Sequence, residues 1–154
     1  MALAYDIVAA TVAATMAGNE FAVAAFIHPQ LDHLDPDTHA KAAAPIARIL
    51  GKIMPFWYAL ALALILGAAY EHRPLTHGPG LLITFSAALW IATILFTVTM
   101  LVPINNRIAS MNPDHPHPTW LQDRARWDHL HCIRVALLVI AVILLLAGLL
   151  QAAT

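Results

Sequence analysis

Four long runs of apolar residues divide this chain and limit the folds it can adopt. The runs cover residues 3–27, 53–70, 81–102 and 133–153. A helix needs about 20 apolar residues to cross roughly 30 Å of hydrocarbon, and each run reaches or approaches that length. Backbone polar groups must pair within such a segment, so we expect the runs to be helical. The sequence therefore predicts an all-α fold: one domain, residues 1–154, forming an integral membrane four-helix bundle.

The composition supports a membrane protein and excludes several other classes. Apolar residues make up 60% of the chain and charged residues only 11%, whereas soluble domains carry about 25% charged residues. The single cysteine, Cys132, excludes an intrachain disulfide and a CxxC redox pair. The net charge of −1 gives no reason to expect nucleic acid as a partner. We expect the lipid bilayer of a bacterial inner or plasma membrane as the surroundings.

Lysine and arginine are distributed unevenly between the two ends of the predicted bundle. Seven of these residues lie in or beside loop one (residues 28–52) and loop three (residues 103–132): Lys41, Arg48, Lys52, Arg107, Arg124, Arg126 and Arg134. The remaining one, Arg73, lies at the other end. Because cytoplasmic loops carry the excess of basic residues, we expect loops one and three in the cytoplasm and both termini outside.

A polar and aromatic stripe leads into the fourth apolar run. Its members recur at spacings of four, three, four and three: Trp120, Arg124, Trp127, His131 and Arg134. This spacing lines one face of a helix, which we expect to begin near Thr119. Crossing a bilayer does not require these residue types. The stripe therefore indicates one wall of a small-molecule pocket, although the tryptophans could instead be interfacial anchors.

Two residues of the first run could contribute to the same pocket. Glu20 lies well inside the run, where a charge costs about 2.5–3.5 kcal/mol by insertion scales. Such a group faces a cavity or a partner, so Glu20 could belong to a functional site. The alternative is that Glu20 forms an ion pair with Arg134 that only stabilises the bundle. His28 ends the run. Together His131, His28 and Glu20 could bind an oxygen-activating iron ion, although their spacing matches no metal motif.

Polar residues of the third run could complete the pocket. Trp90 and Thr97 share one face of the predicted helix and could form the opposite wall or hydrogen-bond between helices. Asn105 and Asn106 follow this run at the cytoplasmic end, where they could orient a substrate carbonyl or cap the helix. Because successive helices alternate in direction, we expect the polar residues of the first, third and fourth runs to lie at a similar depth in the membrane. The expected pocket opens to the cytoplasmic leaflet or to the cytoplasm.

The first run also carries a small residue at every fourth position. The series is Ala10, Ala14, Gly18 and Ala22. Small residues at this spacing let membrane helices approach closely. The series therefore predicts a packing face on span one, and a homo-oligomer is a possible partner arrangement.

Several short motifs resemble the anthrone oxygenase-like family of small membrane proteins, many of which have no assigned function. They are Gly18-Asn19-Glu20, His28-Pro29, Pro103-Ile104-Asn105-Asn106 and Trp127-x3-His131-x2-Arg134. The resemblance implies an enzyme that oxidises anthrones to anthraquinones with O2. It also implies that the site is lined by Asn105, Asn106, Trp127, His131 and Arg134.

These observations predict a membrane-embedded oxygenase or oxidoreductase that oxidises an aromatic, anthrone- or phenol-like, or other lipophilic small molecule with O2. His131 or Glu20 would remove a proton from the substrate, and Arg134 with Asn105 would stabilise the resulting anion. The expected substrate contacts are Asn105, Asn106, Trp127, Trp120, Arg124, Trp90 and Thr97. The cofactor stays open: none, or a His-coordinated iron or copper.

Other functions fit the same bundle. It could be a non-catalytic haem-, metal- or quinone-binding membrane protein, or a structural accessory subunit. It could also be a small proton-coupled carrier built around Glu20, although the short chain without an internal repeat argues against this. An absorption spectrum, metal analysis and uptake into vesicles distinguish these functions.

Overall fold

The computed structural model describes residues 2–154, and within them it consists of helices without strands. The segments are α1 (Ala2–Ala22), a π-helical turn (Val23–Ile27), α2 (His28–Leu31), α3 (Pro36–Glu71), α4 (Gly78–Phe96), a second π-helical turn (Thr97–Leu101), α5 (Val102–Ser110) and α6 (Trp120–Ala153). They form four continuous helices that are long and apolar enough to cross a membrane. These are span one (Leu3–Leu31), span two (Pro36–Glu71), span three (Gly78–Ser110) and span four (Trp120–Ala153). The prediction of an all-α, four-span membrane protein is confirmed.

The helices extend beyond the apolar runs at the end that carries loops one and three. Span two begins at Pro36, well before residue 53, because polar residues continue the same helix outside its apolar stretch. Asp35 caps this helix by accepting a hydrogen bond from the Thr38 amide at 3.1 Å. Hydrogen bonds from Thr38 also lower the pKa of the Asp35 carboxyl. Span four begins at Trp120, next to its predicted start at Thr119.

Loops one and three lie at the same end of the bundle. The Lys41 ammonium lies 3.3 Å from an Asp114 carboxylate oxygen of loop three. Arg48 donates a hydrogen bond to the Ala109 carbonyl at 2.8 Å. The basic residues of both regions therefore cluster at one end, while the side of the membrane that this end faces stays a prediction.

Each π-helical turn is followed closely by a proline. The two pairs are Val23–Ile27 before His28-Pro29, and Thr97–Leu101 before Val102-Pro103. A proline has no N–H, and its ring collides with the carbonyl four residues earlier in a regular α-helix. A wider turn relieves that collision without ending the helix. The chain thus keeps two long spans continuous despite their prolines.

Span one packs against spans two and four, and span three packs against the same two helices. The core between them is built from alanines and a few large side chains, including Ala13, Met16, Ala61, Ile65, Trp90, Leu138 and Leu145. The prediction that the small-residue series forms the packing face of span one is wrong for contacts within this chain, because Ala14 and Gly18 are exposed. Ala13 and Ala17, each one residue before a member of the series, are buried instead, together with Met16.

Gly148 allows the close approach of spans three and four. A Cβ atom at this position would lie 2.7 Å from Ile83 Cγ1 and 3.0 Å from the Pro79 carbonyl oxygen. We expect Gly148→Ala to cost about 1–3 kcal/mol of stability, because the added methyl group overpacks this contact. Unfolding of the purified protein in mixed micelles measures the change.

The matched control is Gly18→Ala in span one, where an added Cβ would have no neighbour within 4 Å. Alanine is the better helix former by up to about 1 kcal/mol, so this variant should be neutral or more stable. Equal losses of stability in the two variants would contradict the packing of spans three and four at Gly148.

Candidate functional site

An ion pair between Glu20 of span one and Arg134 of span four is buried inside the bundle. Arg134 Nη2 donates a hydrogen bond to Glu20 Oε2 at 2.6 Å, and the two residues are 7% and 3% exposed. The Tyr58 hydroxyl of span two donates to Glu20 Oε1 at 3.4 Å. Two charges in an apolar interior need one another, because either alone would be an uncompensated buried charge. The pair therefore ties three of the four spans together.

His131 lies behind this pair and contacts both of its members. Its Nε2 lies 3.2 Å from the Glu20 backbone carbonyl, and its Nδ1 lies 2.8 Å from Arg134 Nη2. A carbonyl oxygen only accepts and a guanidinium only donates. The geometry therefore assigns the proton to Nε2 and leaves Nδ1 as the acceptor. Arg134 Nη2 thus donates to both Glu20 and His131, which fixes the guanidinium in place.

A cavity of about 280 Å³ lies beside the ion pair, bounded by residues of all four spans. Apolar side chains form most of its wall, including Val23, Leu50, Met54, Leu62, Ile94 and Leu101. Its polar lining residues are Asn19, Glu20, Tyr58, Thr97, Asn105 and Arg134. Binding sites for small molecules are typically apolar cavities with a few polar groups that fix orientation. This cavity has that construction.

Some of the polar groups on the cavity wall retain hydrogen-bonding capacity. Among the described residues, no partner is found for the buried Thr97 hydroxyl or for Arg134 Nε. The Asn105 side chain donates to the Ala47 carbonyl at 3.2 Å, which leaves its amide oxygen available. A Cβ atom on Gly51 would lie 3.0 Å from Asn105 Nδ2, so a glycine at this position makes room for the amide.

The structure brings five of the residues predicted from the sequence to the cavity wall. They are Glu20, Thr97, Asn105, Trp127 and Arg134. Three others do not line the cavity. His131 is fully buried behind the ion pair, Trp90 donates to the Tyr58 carbonyl from within the core, and Asn106 is exposed on the outside of its helix. Trp90 and Asn106 therefore do not line this cavity, and a contact between either residue and a substrate stays a prediction.

The remaining predicted residues form a second polar cluster toward loop one. Arg124 donates to Asp128 Oδ1 at 2.7 Å, and His28 Nδ1 lies 2.8 Å from the same oxygen. Trp120 packs edge-on against His39, with ring centroids 5.0 Å apart. Arg124 lines a pocket separate from the cavity. The stripe of span four therefore serves two polar regions instead of one.

Trp127 lies between the two regions. Its indole stacks on the His131 ring, with ring centroids 4.5 Å apart, and forms a T-shaped pair with the His28 ring, with centroids 4.9 Å apart. The Arg124 guanidinium lies 4.9 Å from its centroid. Because Trp127 also lines the cavity, its large ring separates the cavity from the polar cluster.

The proposed metal ligands His131, His28 and Glu20 do not form a metal site in this arrangement. Within residues 2–154, no group of three or more His, Cys, Asp or Glu residues is placed to hold a metal ion. Both ring nitrogens of His131 and both carboxylate oxygens of Glu20 already contact protein groups. Binding of iron or copper stays a prediction, and the donor atoms do not favour it.

Sequence reasoning missed Tyr58, Asn19 and Asp128. Tyr58 looks like an interfacial aromatic in the sequence, but it faces inward with Ala61 and Ile65, which follow at helical spacing. Asn19 accompanies Glu20 on the cavity wall. Asp128 follows Arg124 by four residues, the spacing that pairs opposite charges on a helix. That spacing was a usable signal.

The fold and the site define a class: an integral membrane four-helix protein with a buried ion pair beside an apolar cavity. A family model described as anthrone oxygenase matches residues 45–144, about two thirds of the chain. The chain belongs to the anthrone oxygenase family, which suggests an oxygenase-like role. The match includes Tyr58, Asn105, His131 and Arg134, whereas Glu20 precedes it. No curated protein and no solved structure matches the chain.

The ion pair gives a prediction for stability. We expect Glu20→Gln to cost about 3–5 kcal/mol of unfolding free energy, because Arg134 would remain buried without its counter-charge. The double variant Glu20→Gln, Arg134→Gln should recover part of the loss, with a coupling of about 0.5–3 kcal/mol. Unfolding of the purified variants in mixed micelles measures these values.

The control is Lys41→Gln, which removes a pair whose side chains are 58% and 68% exposed. An exposed pair contributes only about 0–1 kcal/mol. A loss in Glu20→Gln no larger than that in Lys41→Gln would show that the Glu20–Arg134 pair does not hold the spans together.

Proposed function

We propose that this protein oxidises a lipophilic aromatic molecule with an acidic C–H, of the anthrone kind, using O2 in the cavity. Membership of the anthrone oxygenase family supports the oxygenase-like role. The observation that carries the proposal is the Glu20 carboxylate on the wall of an otherwise apolar cavity, with Arg134 and Tyr58 beside it. The volume of about 280 Å³ lies near the lower end of the roughly 300–1,000 Å³ typical of ligand sites. A small molecule of a few fused rings suits this space.

Glu20 is the base in this proposal. A carboxylate in a dry cavity can take a proton from an acidic C–H that is held within hydrogen-bonding distance. The resulting enolate carries its charge on oxygen. Arg134 Nε and the Thr97 hydroxyl have no protein partner among the described residues, and both residues line the cavity. They are the donors expected to hold that oxygen, and the Asn105 side chain, whose second N–H is not used by the Ala47 carbonyl, lines the same cavity.

The reaction balances with O2 as the only oxidant. The enolate carbon forms a bond to one oxygen atom of O2, and the peroxide anion takes up a proton. The carbon then loses its second hydrogen as a proton while the O–O bond breaks and water leaves. One oxygen atom remains as the new carbonyl, so an anthrone and O2 give an anthraquinone and water. The protein supplies the base, the donors for the anion and a site that excludes bulk water.

His131 is a positioning residue in this proposal, although its sequence context also suggests a base. Its Nδ1 already accepts from Arg134 and its Nε2 already donates to the Glu20 carbonyl. It does not line the cavity. Its contacts hold the Arg134 guanidinium and the Glu20 backbone in the arrangement that the chemistry requires.

The charge distribution adds a proposal about location. Since the basic residues of loops one and three cluster at one end of the bundle, we place that end in the cytoplasm and both termini outside. The end of the cavity that Gly51 and Asn105 line then lies toward the cytoplasmic leaflet of a bacterial inner or plasma membrane.

The first test is Glu20→Gln, assayed in vesicles with anthrone as substrate. We expect the rate of O2 uptake and of anthraquinone formation to fall by about 10²–10⁴-fold, the usual contribution of a general base. Spontaneous oxidation measured with empty vesicles is subtracted. Glu71→Gln, which removes an exposed carboxylate at the far end of span two, should keep the wild-type rate.

Wild-type activity in Glu20→Gln would refute the assignment of Glu20 as the base. Stoichiometric binding of haem or a quinone by the wild-type protein, with no O2 uptake on any phenolic or anthrone substrate, would favour the non-catalytic binding protein.

The role of His131 has a separate test. A glutamine at this position can donate to the Glu20 carbonyl and accept from Arg134, as the imidazole does, but it cannot act as a base at neutral pH. We expect His131→Ala to lose about 10²-fold or more in kcat, and His131→Gln to recover to within about tenfold of wild type. The pH profile of the glutamine variant should keep the wild-type shape. Equal inactivity of both variants would instead support His131 as the base.

A further inference from the structure

We propose that the substrate reaches the cavity sideways from the lipid, through a slot between spans two and three. The identity of the substrate rests on the function proposed above, but the slot itself rests on the geometry of the two helices. The occupant is an uncharged, planar, lipophilic molecule dissolved in the leaflet that adjoins loops one and three.

The rim of the slot is formed by the exposed members of the cavity wall, all of which are apolar. Gly51, Pro55 and Ala59 recur at every fourth position of span two, and Val98 with Val102 lies on span three. A four-residue spacing lines one face of a helix. Since none of these residues has a long side chain, the two helices leave an opening into the cavity along this face.

The surface around the slot is suited to hydrocarbon. Large apolar side chains on both sides of it point outward: Ile53 is 52%, Phe56 79%, Leu60 52% and Leu95 61% exposed. A surface with so many exposed apolar side chains belongs in lipid. A molecule passing between the rim residues therefore comes from the bilayer and not from water.

The position of the slot assigns it to one leaflet. Gly51 and Ala59 are eight residues apart, which is about 12 Å along a helix at 1.5 Å per residue. The hydrocarbon core is roughly 30 Å thick, so the slot covers less than half of it. Lys52, which neighbours Gly51 and is exposed, marks the polar boundary at that end. The slot begins near this boundary and extends inward into the hydrocarbon.

The chemistry changes from the rim to the inner wall. The rim is apolar, whereas Glu20, Tyr58 and Arg134 are buried within the cavity. A substrate leaves lipid for an apolar rim at little cost and then meets the polar groups that orient it. A molecule with a permanent charge, such as a sulfonate, would have to bring that charge into the hydrocarbon to pass between the rim residues. The slot therefore selects substrates by their solubility in lipid.

The test replaces small residues at the rim of the slot with tryptophan and assays the variants reconstituted in vesicles. We expect Val98→Trp and Ala59→Trp each to lower kcat/KM for anthrone by about tenfold or more. The matched control is Leu95→Trp on the same span, which is equally lipid-facing but does not line the cavity. It should stay within about twofold of wild type. A water-soluble sulfonated anthrone should be a poor substrate for all of these proteins.

Wild-type kcat/KM for anthrone in both rim variants, or efficient oxidation of the sulfonated anthrone, would overturn the slot. A photoreactive lipophilic phenol separates this failure from failure of the proposed function. Even if no protein oxidises anthrone, the probe should label Met54 or Tyr58 in the wild type and in the control Leu95→Trp, and should lose that labelling in Val98→Trp. Labelling that Val98→Trp does not change, or a second copy of the chain cross-linked over the rim, would refute access from lipid.

Discussion

The buried ion pair between Glu20 and Arg134 is the constraint on which the rest of this structure depends. Both charges lie inside an apolar bundle, so each needs the other and neither can turn toward lipid. Tyr58 and His131 complete the hydrogen bonding of the two groups. The pair therefore fixes the mutual depth and rotation of spans one, two and four. In an apolar core built largely from alanines, few other contacts could specify that arrangement so closely.

The same pair gives the cavity its chemical character. One side of Arg134 is held by Glu20 and His131, while Nε is left without a protein partner among the described residues. A preorganised donor in a dry site interacts strongly with an anion because no solvent has to be rearranged. Trp127 closes the cavity on the side of the polar cluster around Asp128. The same few side chains therefore stabilise the bundle and give the cavity its capacity to bind an anion.

The spans could be predicted from the sequence because hydrophobic length in a bilayer is nearly sufficient to define a membrane helix. The residues of the site could be predicted only in part, because a stripe defines a helix face but not what packs against it. Asn105 and Asn106 show the limit: neighbours on a helix point about 100° apart, so one lines the cavity and the other is exposed. Trp90 shares a face with Thr97, yet its indole packs into the core, where it donates a hydrogen bond to the Tyr58 backbone carbonyl.

The ion pair joins residues that are 114 positions apart in the chain. At about 5–20 residues per second, a ribosome needs roughly 6–23 s to make the chain between them. Through that interval Glu20 has no counter-charge, because Arg134 has not yet been synthesised. The bundle can therefore close around the ion pair only after span four has entered the membrane. The arrival of the last helix neutralises the first, so assembly of the bundle is completed by an electrostatic event at the end of synthesis.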